Sequence, residues 1–267
     1  MIIAVCGKKQ VGKNTVATML QYLFTTEKEQ CISSFEDYEA RKNNTEYFKR
    51  ISDWEQKSFA YKVKQILSIL TGIPVKDMEK EEVKLQLLDK SWSMVHVKAL
   101  STDNLVYGPF YSEKEAVDYI NKHKIFKFEL YNYPITVRKA LQLIGTDLFR
   151  DKFSYDTWIT ALFIDYKPEK ESIKDFYKKT SSYPNTTCVQ TASKWIITDC
   201  RFPNEADAIK EKDGYLIKIE RDLKYADEHM SETSVENINA DFVINNNGSI
   251  QDLFDIVKNL IYPILKT

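Results

Sequence analysis

The chain is poor in residues that staple, bend or ligate. Its four cysteines, Cys6, Cys31, Cys188 and Cys200, are scattered through 267 residues without a CxxC pair. That spacing excludes a zinc ribbon and a dense disulfide framework, and free thiols in a reducing compartment are expected. The three histidines, His96, His123 and His229, lie too far apart in sequence to suggest a metal set. No apolar run approaches the roughly 20 residues of a membrane-spanning helix, so no membrane partner is expected. Charge of one sign is missing as well. The 38 Lys and Arg face 39 Asp and Glu, for a net charge of −1. Without a global basic field, nucleic-acid binding by counterion release is not expected, and any cationic function must be local. Glycine is scarce, with only seven residues. Gly7, Gly12, Gly72, Gly145 and Gly248 therefore mark places where a turn or a close approach needs one.

Two of these glycines frame the most informative segment. Ile2-Ile3-Ala4-Val5-Cys6 is an apolar strand that runs straight into Gly7-Lys8-Lys9-Gln10-Val11-Gly12-Lys13-Asn14-Thr15. Glycines let successive backbone N–H groups turn inward around a polyphosphate, and the helix that follows points its positive end at the same anion. Gly7, Gln10, Gly12 and Lys13 are thus candidate phosphate contacts, with Lys13 reaching the outer phosphates and a following hydroxyl holding Mg²⁺. The general pattern wants Ser or Thr directly after the lysine; here Asn14 intervenes before Thr15. The opening strand is expected to be core rather than a signal peptide.

Periodicity supplies the frame. Val16, Met19, Leu20 and Leu23 recur at helical spacing after the loop. Residues 26–57 are polar and without clear period. Phe59, Val63, Ile66, Leu67 and Leu70 form a helical stripe that stops at Gly72, and Pro74 begins a turn or helix through Leu88. Residues 91–133 read as a small strand-rich insertion: strands at 91–97, 105–110 and 126–131, with a helix at 113–123. Helices are expected at 136–148 and 157–166, and a long surface loop at 167–193. Lys194–Asp199 reads as a buried parallel strand, 203–212 as a helix opened by proline, 215–219 and 241–244 as strands, and 249–260 as a closing helix with Ser249 as its cap. Strands alternating with helices after a phosphate-loop start predict an α/β fold of three layers, with a parallel sheet covered by helices. The whole chain, 1–267, is expected to be one domain carrying the insertion 91–133.

In such a sheet, ligands bind at the carboxyl ends of the strands. Asp199 ends one strand and would help hold Mg²⁺ beside the loop hydroxyl; a helix-capping or turn aspartate is the other reading. Arg201, two residues on, would offer its planar fork to a migrating phosphoryl group, or else pair with Glu205 one helical turn away. Arg138, with Gln142 and Gly145 on adjacent turns, is a candidate clamp for an acceptor phosphate, and so is Lys9. His229 reads as an exposed loop histidine. The residues so far describe a phosphotransferase or nucleoside triphosphatase with a few positioned cations, and leave the acceptor open.

Several segments together resemble a known family, the deoxynucleoside monophosphate kinases of tailed phages, which are adenylate-kinase-like P-loop kinases. They are Gly7–Thr15; Ser58-Phe59-Ala60 with Lys64; Arg138-Lys139-Ala140-Leu141-Gln142-Leu143-Ile144-Gly145-Thr146-Asp147 continuing to Trp158; Thr198-Asp199-Cys200-Arg201-Phe202-Pro203-Asn204-Glu205; His229 with Ser231-Glu232; and Asn246-Asn247-Gly248-Ser249. They occur in the family's order from end to end of the chain, and those around Arg138 and Asp199 are the most specific. The resemblance implies transfer of the γ-phosphoryl group of ATP to a deoxynucleoside monophosphate. It implies that Lys13, Asn14 and Thr15 hold ATP phosphates and Mg²⁺, and that Asp199 and Arg201 serve the transferring group. It also implies that Lys9, Ala60, Tyr61, Lys64, Arg138, Gly145, Thr146 and Trp158 contact the acceptor nucleotide. Asn14-Thr15 departs less from this family, which often has Asp-Thr, than from the general motif. Tyr61 departs where members from T-even phages have a small residue. Asn246 and Gly248 resemble the adenine-side loop of related kinases, although an ordinary helix-capping turn explains them nearly as well. Arg221 and Lys224 would belong to a closing segment. A homodimer, a cytoplasmic location (host cytoplasm for a phage-encoded chain) and no partners beyond small molecules complete the expectation. Two other readings stand beside it: another small-acceptor kinase, such as a dephospho-coenzyme A kinase, and a non-catalytic nucleotide-binding protein.

Overall fold

A computed structural model describes residues 1–26, 34–41, 52–100, 105–167, 193–222 and 234–266. The chain begins with β1 (Ile2–Cys6), α1 (Lys13–Thr26), α2 (Phe35–Arg41), β2 (Trp54–Lys57) and α3 (Ala60–Thr71). It continues through α4 (Glu81–Lys84), β3 (Ser93–Ala99), β4 (Val106–Phe110), α5 (Glu113–Lys122), β5 (Phe128–Pro134) and α6 (Val137–Gln142). It closes with α7 (Thr157–Phe163), β6 (Lys194–Cys200), α8 (Pro203–Lys210), β7 (Tyr215–Glu220), β8 (Phe242–Asn245), α9 (Ile250–Ile256) and α10 (Tyr262–Leu265). The chain divides into two units, Met1–Lys62 with Asp156–Thr267, and Val63–Tyr155.

The first unit holds a five-stranded sheet in the order β2-β6-β1-β7-β8, with every neighbouring pair parallel. β1 is central, and all five of its residues are buried. Its side chains alternate between faces, as the two-residue period of a strand requires. Ile3 and Val5 join Val16, Ala17, Met19 and Leu20 of α1 and Leu253 and Val257 from the C-terminal helices in one core. On the other face Trp195, beside Ile2 in register, stacks on Phe163 of α7 at 6.1 Å, and Ile209 of α8 packs at Gly214 next to Ile2. Helices thus cover both faces, giving the three layers of an α/β fold.

β2 and α2 lie in the stretch that shows no period in the sequence. The reason is physical: β2 is a four-residue edge strand on which only Trp54 is buried while Glu55 and Gln56 face solvent. An edge strand needs no second apolar face. The helix expected at 136–148 is α6 followed by a π-helical run, Leu143–Phe153. The loop read at 167–193 lies almost wholly outside the described residues.

The second unit contains an antiparallel sheet in the order β4-β3-β5. Val95, Val97 and Phe110 of its strands close over Ala116 and Ile120 of α5 to make a small separate core. Ser112 caps α5 by accepting the Glu115 N–H at 3.2 Å, and Thr136 caps α6 by accepting the Lys139 N–H at 3.2 Å. The strands run a few residues later than the sequence suggests: 91–92 belong to a 3₁₀ turn, and Phe126, 90% exposed, precedes β5.

Candidate functional site

In the first unit the carboxyl ends of β1 and β6 lie side by side, with Cys6 and Cys200 as register partners. The glycine-rich loop leaves β1 there. Gly7, Gln10 and Gly12 take positive φ, at 145°, 64° and 101°. A non-glycine residue at Gln10 in the left-handed region is uncommon and marks a loop held in one shape by its surroundings. A Cβ on Gly7 would lie 2.5 Å from the Ile219 carbonyl oxygen of β7, so only glycine lets the loop pass that strand. Lys13, in the first turn of α1, is 9% exposed. Its ammonium donates to the Gly7 carbonyl at 2.8 Å and the Lys8 carbonyl at 2.5 Å, which brings it back onto the loop it follows. Asn14 faces solvent and Thr15 is half-buried. Lys8 pairs with Glu236 at 2.6 Å, and the Lys8 ammonium holds the Glu236 carboxyl below its ordinary pKa.

Asp199 spends its carboxylate on α3. One oxygen accepts the Phe59 N–H at 2.8 Å; the other accepts the Ser58 hydroxyl at 2.7 Å and the Ala60 N–H at 2.9 Å. The two N–H groups are donors that a helix start leaves without intrahelical partners, so Asp199 caps α3 from a strand. Capping, one of the two readings open for Asp199 in the sequence, is displayed by these hydrogen bonds. Glu205, 2% exposed, accepts the main-chain N–H groups of Arg201 at 2.9 Å and Phe202 at 3.2 Å. It thereby fixes the turn that carries Arg201. Ala60 is half-buried, Tyr61 is exposed, Lys9 is half-buried and Trp158 is a buried core residue. Asn246 is buried and donates its amide to the Val11 carbonyl at 2.8 Å. Gly248 lies in the turn before α9, where Ser249 and Asp252 form a capping box.

Burial pushes the Cys6 thiol up to about 11, against the lowering pull of Lys218 and Lys13. Cys200 is shifted up by burial as well, so both strand-end thiols are protonated near neutral pH.

The second unit carries Lys64, Arg138, Gly145 and Thr146. Lys64 pairs with Glu79 at 2.5 Å, and Arg138 pairs with Glu81. Burial alone would raise the Glu81 carboxyl. Hydrogen bonds and charge from Arg138 and Lys84 outweigh it and hold that carboxyl below its ordinary value. Gly145 lies in the π-helical run, where a Cβ would meet the Val63 side chain at 3.6 Å, an ordinary contact. Thr146 is buried. Glu79 and Glu81 are not apparent as site features in the sequence, and Glu205 is read there only as a partner for Arg201, without its main-chain bonds. The two cation pairs join residues 15 and 57 positions apart, which no local pattern reveals. Lys224, His229, Ser231 and Glu232 lie outside the described residues, as do Cys31 and Cys188.

The arrangement can hold a polyphosphate. A strand-end loop shaped by three positive-φ residues and followed by a 14-residue helix presents N–H groups and a positive helix end to an anion. Among the described residues no group of three or more His, Cys, Asp or Glu could hold a metal by itself.

Comparisons with known proteins agree with this geometry. A family model described as deoxynucleotide monophosphate kinase matches residues 1–257. A protein of Acanthamoeba polyphaga mimivirus, provisionally named a deoxynucleotide monophosphate kinase, is 36% identical over 121 residues, covering 45% of this chain and 58% of that protein. The deoxynucleotide monophosphate kinase of Enterobacteria phage T4 is 29% identical over 125 residues, covering 46% of this chain and 44% of that one. The protein of the same name from Escherichia phage RB69 is 21% identical over 127 residues, covering 47% and 45%. The chain spans about half the length of the curated relatives it matches.

Proposed function

Because the chain belongs to the deoxynucleotide monophosphate kinase family, we propose that it transfers the γ-phosphoryl group of ATP to the 5′-phosphate of a deoxynucleoside monophosphate. The observation that carries this reading is the strand-end loop with Gly7, Gln10 and Gly12 at positive φ and Lys13 rooted on it. A loop of this build suits the phosphates of a nucleoside triphosphate.

Phosphoryl transfer asks little covalent chemistry of a protein and much positioning and positive charge. The loop N–H groups with Gly12, Asn14 and Lys13 would hold the ATP phosphates, and Thr15 with the phosphate oxygens would hold Mg²⁺. Mg²⁺ held there would supply neutralisation of phosphate charge. Arg138 and Lys64 would orient the acceptor phosphate, with Lys9, Ala60, Tyr61, Gly145, Thr146 and Trp158 as further acceptor contacts. An acceptor phosphate oxygen then bonds to the γ-phosphorus as the bond to the bridging oxygen breaks, and ADP departs. Arg201 would spread charge over the migrating group. Asp199 would act mainly by holding the start of α3, which carries Ala60 and Tyr61.

For Arg138 and Lys64 to take a phosphate, Glu81 and Glu79 must give way, an exchange of one anion for another. A homodimer, and a place in the cytoplasm of an infected host, belong to this proposal; viral relatives support the second. The test is ADP release from ATP with deoxynucleoside monophosphates, their ribo-counterparts and dephospho-coenzyme A as acceptors. The proposal expects release that depends on a deoxynucleotide acceptor. Release with dephospho-coenzyme A alone would favour the other kinase reading.

A further inference from the structure

Asn246 follows β8, yet the residue is only 8% exposed. The side-chain amide donates to the Val11 carbonyl at 2.8 Å, and the main-chain N–H donates to the Glu220 carbonyl at 2.8 Å. Asn247 fastens the same turn. Its amide oxygen accepts the Asp222 N–H at 2.9 Å, and its amide nitrogen donates to the Asp222 carboxylate at 2.8 Å. The fit to the loop is tight: a Cβ on Gly12 would lie 2.6 Å from the Asn246 amide nitrogen. The absence of a side chain at Gly12 therefore makes room for this amide as well as permitting the φ of 101°.

An anion-binding loop works only while its N–H groups face the anion and its carbonyl oxygens do not. A buried carbonyl needs a donor, and without one it is free to turn toward any positive group that arrives with the ligand. We propose that Asn246 is a positioning residue for the phosphate loop: its amide holds the Val11 carbonyl away from the polyphosphate. It thereby supports the phosphates of any nucleotide rather than reading the adenine base. The inference rests on the reading of the loop as a polyphosphate site.

Calorimetric titration of the full chain with inorganic tripolyphosphate, ATP and GTP, each with Mg²⁺, tests it. Asn246→Asp keeps the shape and replaces the donor by an acceptor; Asn246→Ala removes both. Both variants should lose at least about tenfold in affinity for all three ligands alike. Ser249→Ala, which breaks the neighbouring capping box without touching Asn246, should lower the melting temperature and leave tripolyphosphate affinity unchanged. Loss of ATP affinity with tripolyphosphate and GTP unaffected would make Asn246 a base contact and overturn the proposal. So would unchanged binding in both variants, or an equal loss of tripolyphosphate affinity in Ser249→Ala. Failure of the unaltered protein to bind tripolyphosphate would overturn the loop reading itself, and the proposal with it.

Discussion

Lys13 shows how much a single side chain can decide. Its ammonium is a compact charge whose donors reach the Gly7 and Lys8 carbonyls. Outer phosphates would draw that charge outward at the moment of transfer, where a fixed cation matters most. Lys13→Ala should lower kcat by on the order of 10²–10³, the range for losing one positioned donor to a developing negative charge. Lys13→Arg should not restore it, because a planar fork does not fit where a point charge sits. Steady-state kinetics on the three forms check this, and normal turnover in Lys13→Ala would remove Lys13 from the mechanism. Cys6, one residue before the loop, offers a quieter test. Its thiol, pushed up to about 11 by burial, is protonated at pH 8. Only a thiolate attacks an alkylating reagent. Brief iodoacetamide treatment followed by peptide mass mapping should find Cys6 and Cys200 unmodified in the folded protein and alkylated after denaturation. Rapid labelling of the folded chain would mean that β1 opens far more readily than its burial implies.

Among the elements, α3 and α4 connect local structure to function. Asp199 satisfies three donors at the start of α3, so Asp199→Ala should cost about 1–2 kcal/mol of stability, the upper part of the range for losing one cap. It should also raise KM for the acceptor more than KM for ATP. Denaturant titration and paired KM measurements check both. A variant of undiminished stability whose defect is repaired by excess Mg²⁺ would favour the metal-holding reading instead. In the second unit, Glu81 from α4 covers Arg138. Exposed ion pairs are worth about 0.2–1 kcal/mol, so Glu81→Gln should lower KM for the acceptor by up to about fivefold. The sign with pH follows from a lowered carboxyl pKa. The pair is fully formed above the ordinary carboxylate pKa and is lost as pH falls through the lowered folded value. The advantage of Glu81→Gln should therefore be constant from pH 6 to 8, and a bell-shaped dependence there would point to another group. These elements also show what a sequence can and cannot disclose. β1 and the Trp195–Ile197 stretch of β6 are legible because both are buried, unbroken apolar runs. β2 is not, because an edge strand of four residues carries one buried side chain. The phosphate loop is legible because its chemistry is written in contiguous residues. Glu81 beside Arg138 and Asn246 beside Val11 are not, because folding alone brings them together.

For the molecule as a whole, the loop belongs to one unit while Lys64 and Arg138 belong to the other. Each unit has its own sheet and its own core. With a net charge of −1, attraction of an anionic ligand would rest on local cations rather than on a broad field. The central proposal is that Lys13 and Arg138 both serve one phosphoryl transfer. Coupled ADP-release measurements decide this, made on the unaltered chain, Lys13→Ala and Arg138→Ala with each common deoxynucleoside monophosphate and a no-acceptor blank. The account predicts ADP release well above the blank with at least one deoxynucleotide, and its loss in both variants. Release no higher than the blank across the whole panel, or full activity in either variant, would contradict it.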